Sequence, residues 1–385
     1  MLARVTAVAV SVALAATATP ALAEADSRAD LPSAIVSMGD SFISGEAGRW
    51  RGNGLTHYPG SRWGTDLAAY DCNSGESWCY HDPARVYGAS YDNGCHRSDV
   101  AEITHVPSVT VGGVSYPVAP ENRVNLACSG ATTEAIDTTP FKDPTTQADQ
   151  LATLAETRRI RLITVSVGGN DIDFAGIIFG CVAAFTEGSS EHCMTTYGPE
   201  LPARVLTMAD NIRRAVGSIR TVMRDAGYAD GDYRLVLQSY PAPIPASAEN
   251  RYVATDWSRW NEGGCPFYDD DSDWAHDTVL PLIAEAIEGV TGADTGTEFL
   301  ELRHAFDGHE VCAKGVTQAT EDNTLKNPLP MAESEWIRWI GVPYLSQGQE
   351  QEYAHPNRYG QLALGRCLSA LAAATATTHT CEGPA

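Results

Sequence analysis

The chain has 385 residues, 43% of them hydrophobic and 19% charged, enough apolar material for a sizeable core and not the composition of a disordered segment. Its formal net charge is −23, so a phosphate backbone would be repelled and nucleic acid is excluded as an expected partner. An anionic membrane surface is an equally poor electrostatic match, and the charge suits solubility outside the cell.

The chain opens as a secretory signal. Arg4 is the positive start, residues 5–19 are apolar and alanine-rich, and Ala21-Leu22-Ala23 offers the small-x-small pattern of a cleavage site. Residues 1–23 are therefore expected to be removed and 24–385 to form one domain. The apolar run is short and no stop-transfer segment follows, so no transmembrane segment is expected. The 10 cysteines form no Cys-x-x-Cys pair, which argues against zinc and for disulfides in an oxidising compartment. Proximity suggests Cys72–Cys79, Cys95–Cys128, Cys181–Cys193, Cys265–Cys312 and Cys367–Cys381, although spacing alone leaves the connectivity open.

In chain order, residues 34–38 read as a buried strand ending in Gly39-Asp40-Ser41. Residues 123–128 are a second strand, broken at Ser129-Gly130. A helix over 147–159 leads to a third strand, 161–167, which ends in Gly168-Gly169-Asn170-Asp171. A long amphipathic helix (201–226), a fourth strand (233–237), a helix (274–290), a fifth strand (298–302) and a last helix (358–374) follow. Five strands alternating with helices predict an α/β fold, a parallel sheet with helices on both faces. Ligands of such sheets bind beyond the carboxyl ends of the strands, where three of these turns converge. Long insertions at 48–122, 179–199, 241–273 and 303–344 carry cysteines and are expected to be pinned loops. Gly112-Gly113 reads as a hairpin turn, and 269–273 as a solvated acidic loop or a helix start rather than a calcium loop. Trp336 and Trp339 fall on one face of a short helical stretch, as core or as a wall of an acyl pocket.

A serine hydroxyl needs a base to become a nucleophile and donors to hold the oxyanion that forms on attack. Ser41, where a strand ends and a helix can start, could offer both its hydroxyl and its N–H; Gly130 could bring an N–H close, and Asn170 a side-chain amide. His355 precedes the last helix on a loop, where it could reach Ser41. Each has a bland alternative: Ser41 as a helix N-cap, Gly130 as a turn glycine, Asn170 and Asp171 as caps of the next helix, His355 as a loop histidine. Asp40 is read as a turn residue.

Together, Gly39-Asp40-Ser41, Gly130, Gly168-Gly169-Asn170-Asp171 and His355 resemble the blocks of the SGNH hydrolases, the GDSL lipase/esterase family, in order and over about 35–371. The cysteine-rich loops make the chain most similar to the secreted actinomycete lipases and esterases of that family. The resemblance implies a flavodoxin-like three-layer α/β/α fold with a five-stranded parallel sheet, and ester hydrolysis through an acyl-serine without metal or other cofactor. It implies Ser41 as nucleophile, His355 as general base and acid, and Ser41, Gly130 and Asn170 as the oxyanion hole. The family usually places Asp three residues before the histidine; here Glu352 stands there, either orienting His355 or sitting on the surface while a backbone carbonyl does that work. The expected partner is a lipid-like or other acyl ester, met outside the cell by a monomer. A carbohydrate O-acetyl esterase, an acyltransferase and a non-catalytic binding protein are the alternatives.

Overall fold

Strand β1 (Ser33–Gly39) is buried from Ala34 onward, because its neighbours cover both faces. The computed structural model describes residues 30–53, 67–72, 78–255, 257–293, 296–318, 329–341 and 350–383. Residues 31–385 make one compact unit; the predicted leader lies outside the described residues.

The described residues form ten strands, in chain order β1, β2 (Tyr70–Cys72), β3 (Cys79–His81), β4 (Ser108–Val111), β5 (Val114–Pro117), β6 (Arg123–Asn125), β7 (Arg159–Ser166), β8 (Arg234–Gln238), β9 (Thr297–Glu301) and β10 (Thr378–Thr380). Six form the central sheet in the order β10-β9-β8-β7-β1-β6, and every pair in it is parallel. The expected five strands are thus six. The sixth comes from the tail, which the Cys367–Cys381 disulfide turns back so that Thr378 pairs with Phe299 on the β9 edge. Two antiparallel hairpins, β2–β3 and β4–β5, stand apart, the second turning at Gly112-Gly113.

Helices cover both faces of the sheet. The longest, Leu201–Asp225, starts with Pro202 near its N-terminus and buries Val205, Met208, Ile212, Val216, Ile219 and Met223, one stripe at helical spacing. Helix Arg358–Ala373 is capped by Asn357, whose side chain accepts from Tyr359 N–H and Gly360 N–H. The segment carrying Trp336 and Trp339 is not helical, although both rings are buried; Trp336 stacks on His309 at 3.9 Å. Among the described residues no helix is long and apolar enough to cross a membrane.

Among the described residues, four disulfides tie the loops: Cys95–Cys128, Cys181–Cys193, Cys265–Cys312 and Cys367–Cys381. Cys72 and Cys79 face each other across the β2–β3 hairpin, but the Cys72 side chain lies outside the described residues.

Candidate active site

The site forms at the carboxyl ends of β1, β6 and β7. Gly39 ends β1 at φ 128°, and a Cβ there would lie 1.8 Å from the Ser166 carbonyl oxygen, so only glycine lets β1 and β7 approach this closely. The Gln147 side chain then takes the place of another strand: it accepts from Gly39 N–H at 2.7 Å and donates to Gly39 O at 2.8 Å. Asp40, not Ser41, is the N-cap of the short helix Ser41–Ser44, accepting from Phe42 N–H at 3.1 Å. Ser41 is therefore the first helical residue, where a backbone N–H has no acceptor within the helix.

The Ser41 hydroxyl meets His355 Nε2 at 2.6 Å. His355 Nδ1–H donates to the Tyr353 carbonyl oxygen at 2.8 Å, which fixes the tautomer and leaves Nε2 free to accept the serine proton. The backbone around this histidine is held on both sides. Arg338 N–H donates to His355 O, and Ala354 N–H to Arg338 O. Ala354 sits at φ 60°, a strained left-handed conformation for alanine, of the kind that persists where its surroundings enforce it. Burial lowers the His355 pKa from 6.5 to about 4, and the Tyr353 hydrogen bond and the Glu352 charge oppose that only in part.

Glu352 does not orient His355, and it is not a surface residue. Its side chain is fully buried, gripped bidentately by Arg49 (Nε–Oε1 2.6 Å, Nη2–Oε2 2.9 Å) and also accepting from Trp50 Nε1 at 3.0 Å and Tyr87 OH at 2.6 Å. A carboxylate buried this deeply needs such partners, and they engage both of its oxygens. The clamp instead ties the loop bearing His355 to the segment just after the Ser41 helix.

The donors lie on the neighbouring turns. Asn170 Nδ2 donates one hydrogen to Ala131 O at 2.9 Å, its second hydrogen has no hydrogen-bond partner among the described residues, and Asn170 lines the same cleft as Ser41 and His355. Gly130 has φ 86°, a conformation that glycine adopts freely, and no hydrogen bond from its N–H is made among the described residues. Asp171 does not cap the following helix; Asp173 does. Asp171 instead accepts from Thr133 N–H at 3.0 Å and Thr133 Oγ1 at 2.5 Å, locking the turn after β7 to the helix that follows Gly130.

Sequence reasoning missed Tyr240, Gln147 and the Arg49 clamp. Tyr240 OH receives Gly169 N–H at 3.0 Å and donates to Asp40 Oδ2 at 2.5 Å, so it stitches two of the turns together. Burial raises Asp40 to about 7, and the Tyr240 and Phe42 hydrogen bonds moderate the rise.

Away from its polar end, the cleft is walled by Phe174, Ile178, Phe179, Leu280, Ile283 and Ile340. A second, smaller apolar pocket adjoins it, sharing Phe174, Ile178, Leu280, Ile340 and Ala354 and reaching Ala275, Val311 and Phe267. The acidic run begins the helix Asp269–Trp274. Both Asp271 oxygens are taken by the N–H groups of Cys193 and Met194.

No protein-family model matches the chain, and no curated protein matches it. Solved structures do. The extracellular lipase of Streptomyces rimosus is 17% identical with a TM-score of 0.44, over 89% of this chain and 100% of that one. Phospholipase A1 of Streptomyces albidoflavus NA297 is 19% identical with a TM-score of 0.42, over 89% and 100%. A carbohydrate acetylesterase of Sinorhizobium meliloti is 12% identical with a TM-score of 0.34, over 88% and 97%. At identities this low, the substrate of none of them transfers to this chain.

Proposed function

We propose that the protein is a secreted serine hydrolase of carboxylic esters with apolar acyl groups, working by a Ser41–His355 dyad. The observation that carries the reading is the 2.6 Å contact between Ser41 Oγ and His355 Nε2 at the polar end of an apolar cleft. His355 Nε2 takes the hydroxyl proton as Ser41 Oγ attacks the ester carbonyl. The N–H groups of Ser41 and Gly130 and the Asn170 amide receive the oxyanion. Collapse of the tetrahedral intermediate breaks the bond to the alcohol oxygen, which takes the proton from His355 and departs. Water then repeats the sequence on the acyl-serine and restores the free enzyme.

The apolar walls favour an acyl chain over an acetyl group. Turnover of a panel of p-nitrophenyl esters by the purified protein tests this. The reading expects activity that rises from acetyl to longer acyl esters and vanishes in Ser41→Ala. Acetyl preference would reject the acyl-chain part, and inertness toward every ester would reject hydrolysis itself.

A further inference from the structure

We propose that the helix Phe174–Thr186 docks the protein on an uncharged or zwitterionic lipid surface and feeds ester from that surface into the adjoining cleft. The inference rests on the ester-hydrolase reading above. The helix sequence, FAGIIFGCVAAFT, contains no charged residue. A helix apolar all round is ordinarily buried, yet only Ile177 and Cys181 are buried here. Ala175, Phe179 and Ala183 recur every fourth residue and form one exposed stripe, with Phe179 41% exposed. The Cys181–Cys193 disulfide holds the inner side down.

Two observations identify the occupant. The first is continuity with the cleft: Ala175 and Phe179 are exposed and also line the space that Ser41 and His355 line, so a chain leaving a lipid surface meets apolar contacts from the start. The second is charge. Exposed Asp173 caps the helix at one end and exposed Glu187 at the other, on a chain of net charge −23. An anionic surface is repelled, and no basic residue on the helix offers it a contact. Attachment must come from buried apolar area alone, which suits a neutral interface.

The test uses the mature chain, residues 24–385, and vesicles of phosphatidylcholine, with and without added phosphatidylglycerol, and reads co-sedimentation. Ala183 is exposed and outside the cleft lining, and both glutamate and tryptophan are tolerated in helices, so Ala183→Glu and Ala183→Trp should keep soluble-ester turnover. Ala183→Glu is expected to lower vesicle partitioning about ten-fold and Ala183→Trp to raise it several-fold, with phosphatidylglycerol weakening binding throughout. Equal binding by all three proteins, preference for the anionic vesicles, or no binding would overturn the proposal. So would a wild-type dimer that Ala183→Glu dissociates, since a second copy would then be the occupant. Turnover of soluble esters without vesicle binding would reject docking while leaving the hydrolase reading intact; no turnover of any ester would reject the hydrolase reading.

Discussion

His355 Nδ1–H donates to the backbone carbonyl of Tyr353 at 2.8 Å, and the nearby carboxylate of Glu352 is bound to Arg49 instead. A carbonyl orients the imidazole without supplying a full negative charge. Replacing a triad aspartate costs about 10⁴ in kcat because the wrong tautomer results. Here Glu352→Gln leaves the tautomer intact and strands Arg49 in the interior. It is expected to cost about 3 kcal/mol of stability while kcat falls less than about ten-fold. Urea unfolding and steady-state kinetics on the folded protein check this; a loss of about 10⁴ in kcat with unchanged stability would reverse the assignment.

Burial holds the His355 pKa near 4, below its ordinary 6.5. The base acts only when neutral, so kcat/KM is expected to stay flat as pH falls through 6.5 and to halve only near 4. The same shift has a stability consequence. The unfolded chain binds this proton more tightly, so the contribution of His355 is complete above about 6.5 and is lost as pH falls toward 4. A kcat/KM profile on a soluble ester, with circular dichroism at each pH, measures both. An acid limb near 6.5 would show that the burial effect is absent.

Removing one preorganised oxyanion donor typically costs about 10²–10³ in kcat. Asn170→Ala is expected to fall in that range with KM nearly unchanged, because the donor works mainly on charge that develops during attack. A change confined to KM would make Asn170 a ground-state contact.

The walls of the cleft and the second cavity set the expected acyl preference. Each buried methylene contributes about 0.8 kcal/mol, roughly four-fold in kcat/KM, until the space is filled. Ala275 lines the second cavity and not the cleft at Ser41. Ala275→Trp is expected to cut turnover of long-chain esters and spare short ones, measured by acyl-chain profiling. Equal losses at every length would mean that the second cavity takes no part.

Much of this site was legible in the sequence because turns are local. Gly39-Asp40-Ser41 and Gly168-Gly169-Asn170 each follow an apolar run, and His355 stands just before a well-capped helix. The sheet was legible for the same reason, except for β10, a three-residue strand that exists through its disulfide and its pairing with β9. What stayed hidden is long-range. Gln147 reaches back 108 residues to Gly39, Tyr240 reaches 200 to Asp40, and Arg49 reaches 303 to Glu352. No periodicity or motif encodes such pairs; they appear only once the chain is folded. Glu352 stayed open between two roles for that reason, since nothing near it in sequence tells that Arg49 takes its carboxylate.

The central claim is that Ser41 is the nucleophile, and covalent labelling tests it most directly. A fluorophosphonate probe should modify the wild-type protein at Ser41, located by mass spectrometry of the digest. Ser41→Ala should take up no probe and lose at least about 10³ in ester turnover with its melting temperature unchanged. Ester turnover retained in Ser41→Ala, or labelling at another residue, would contradict the account.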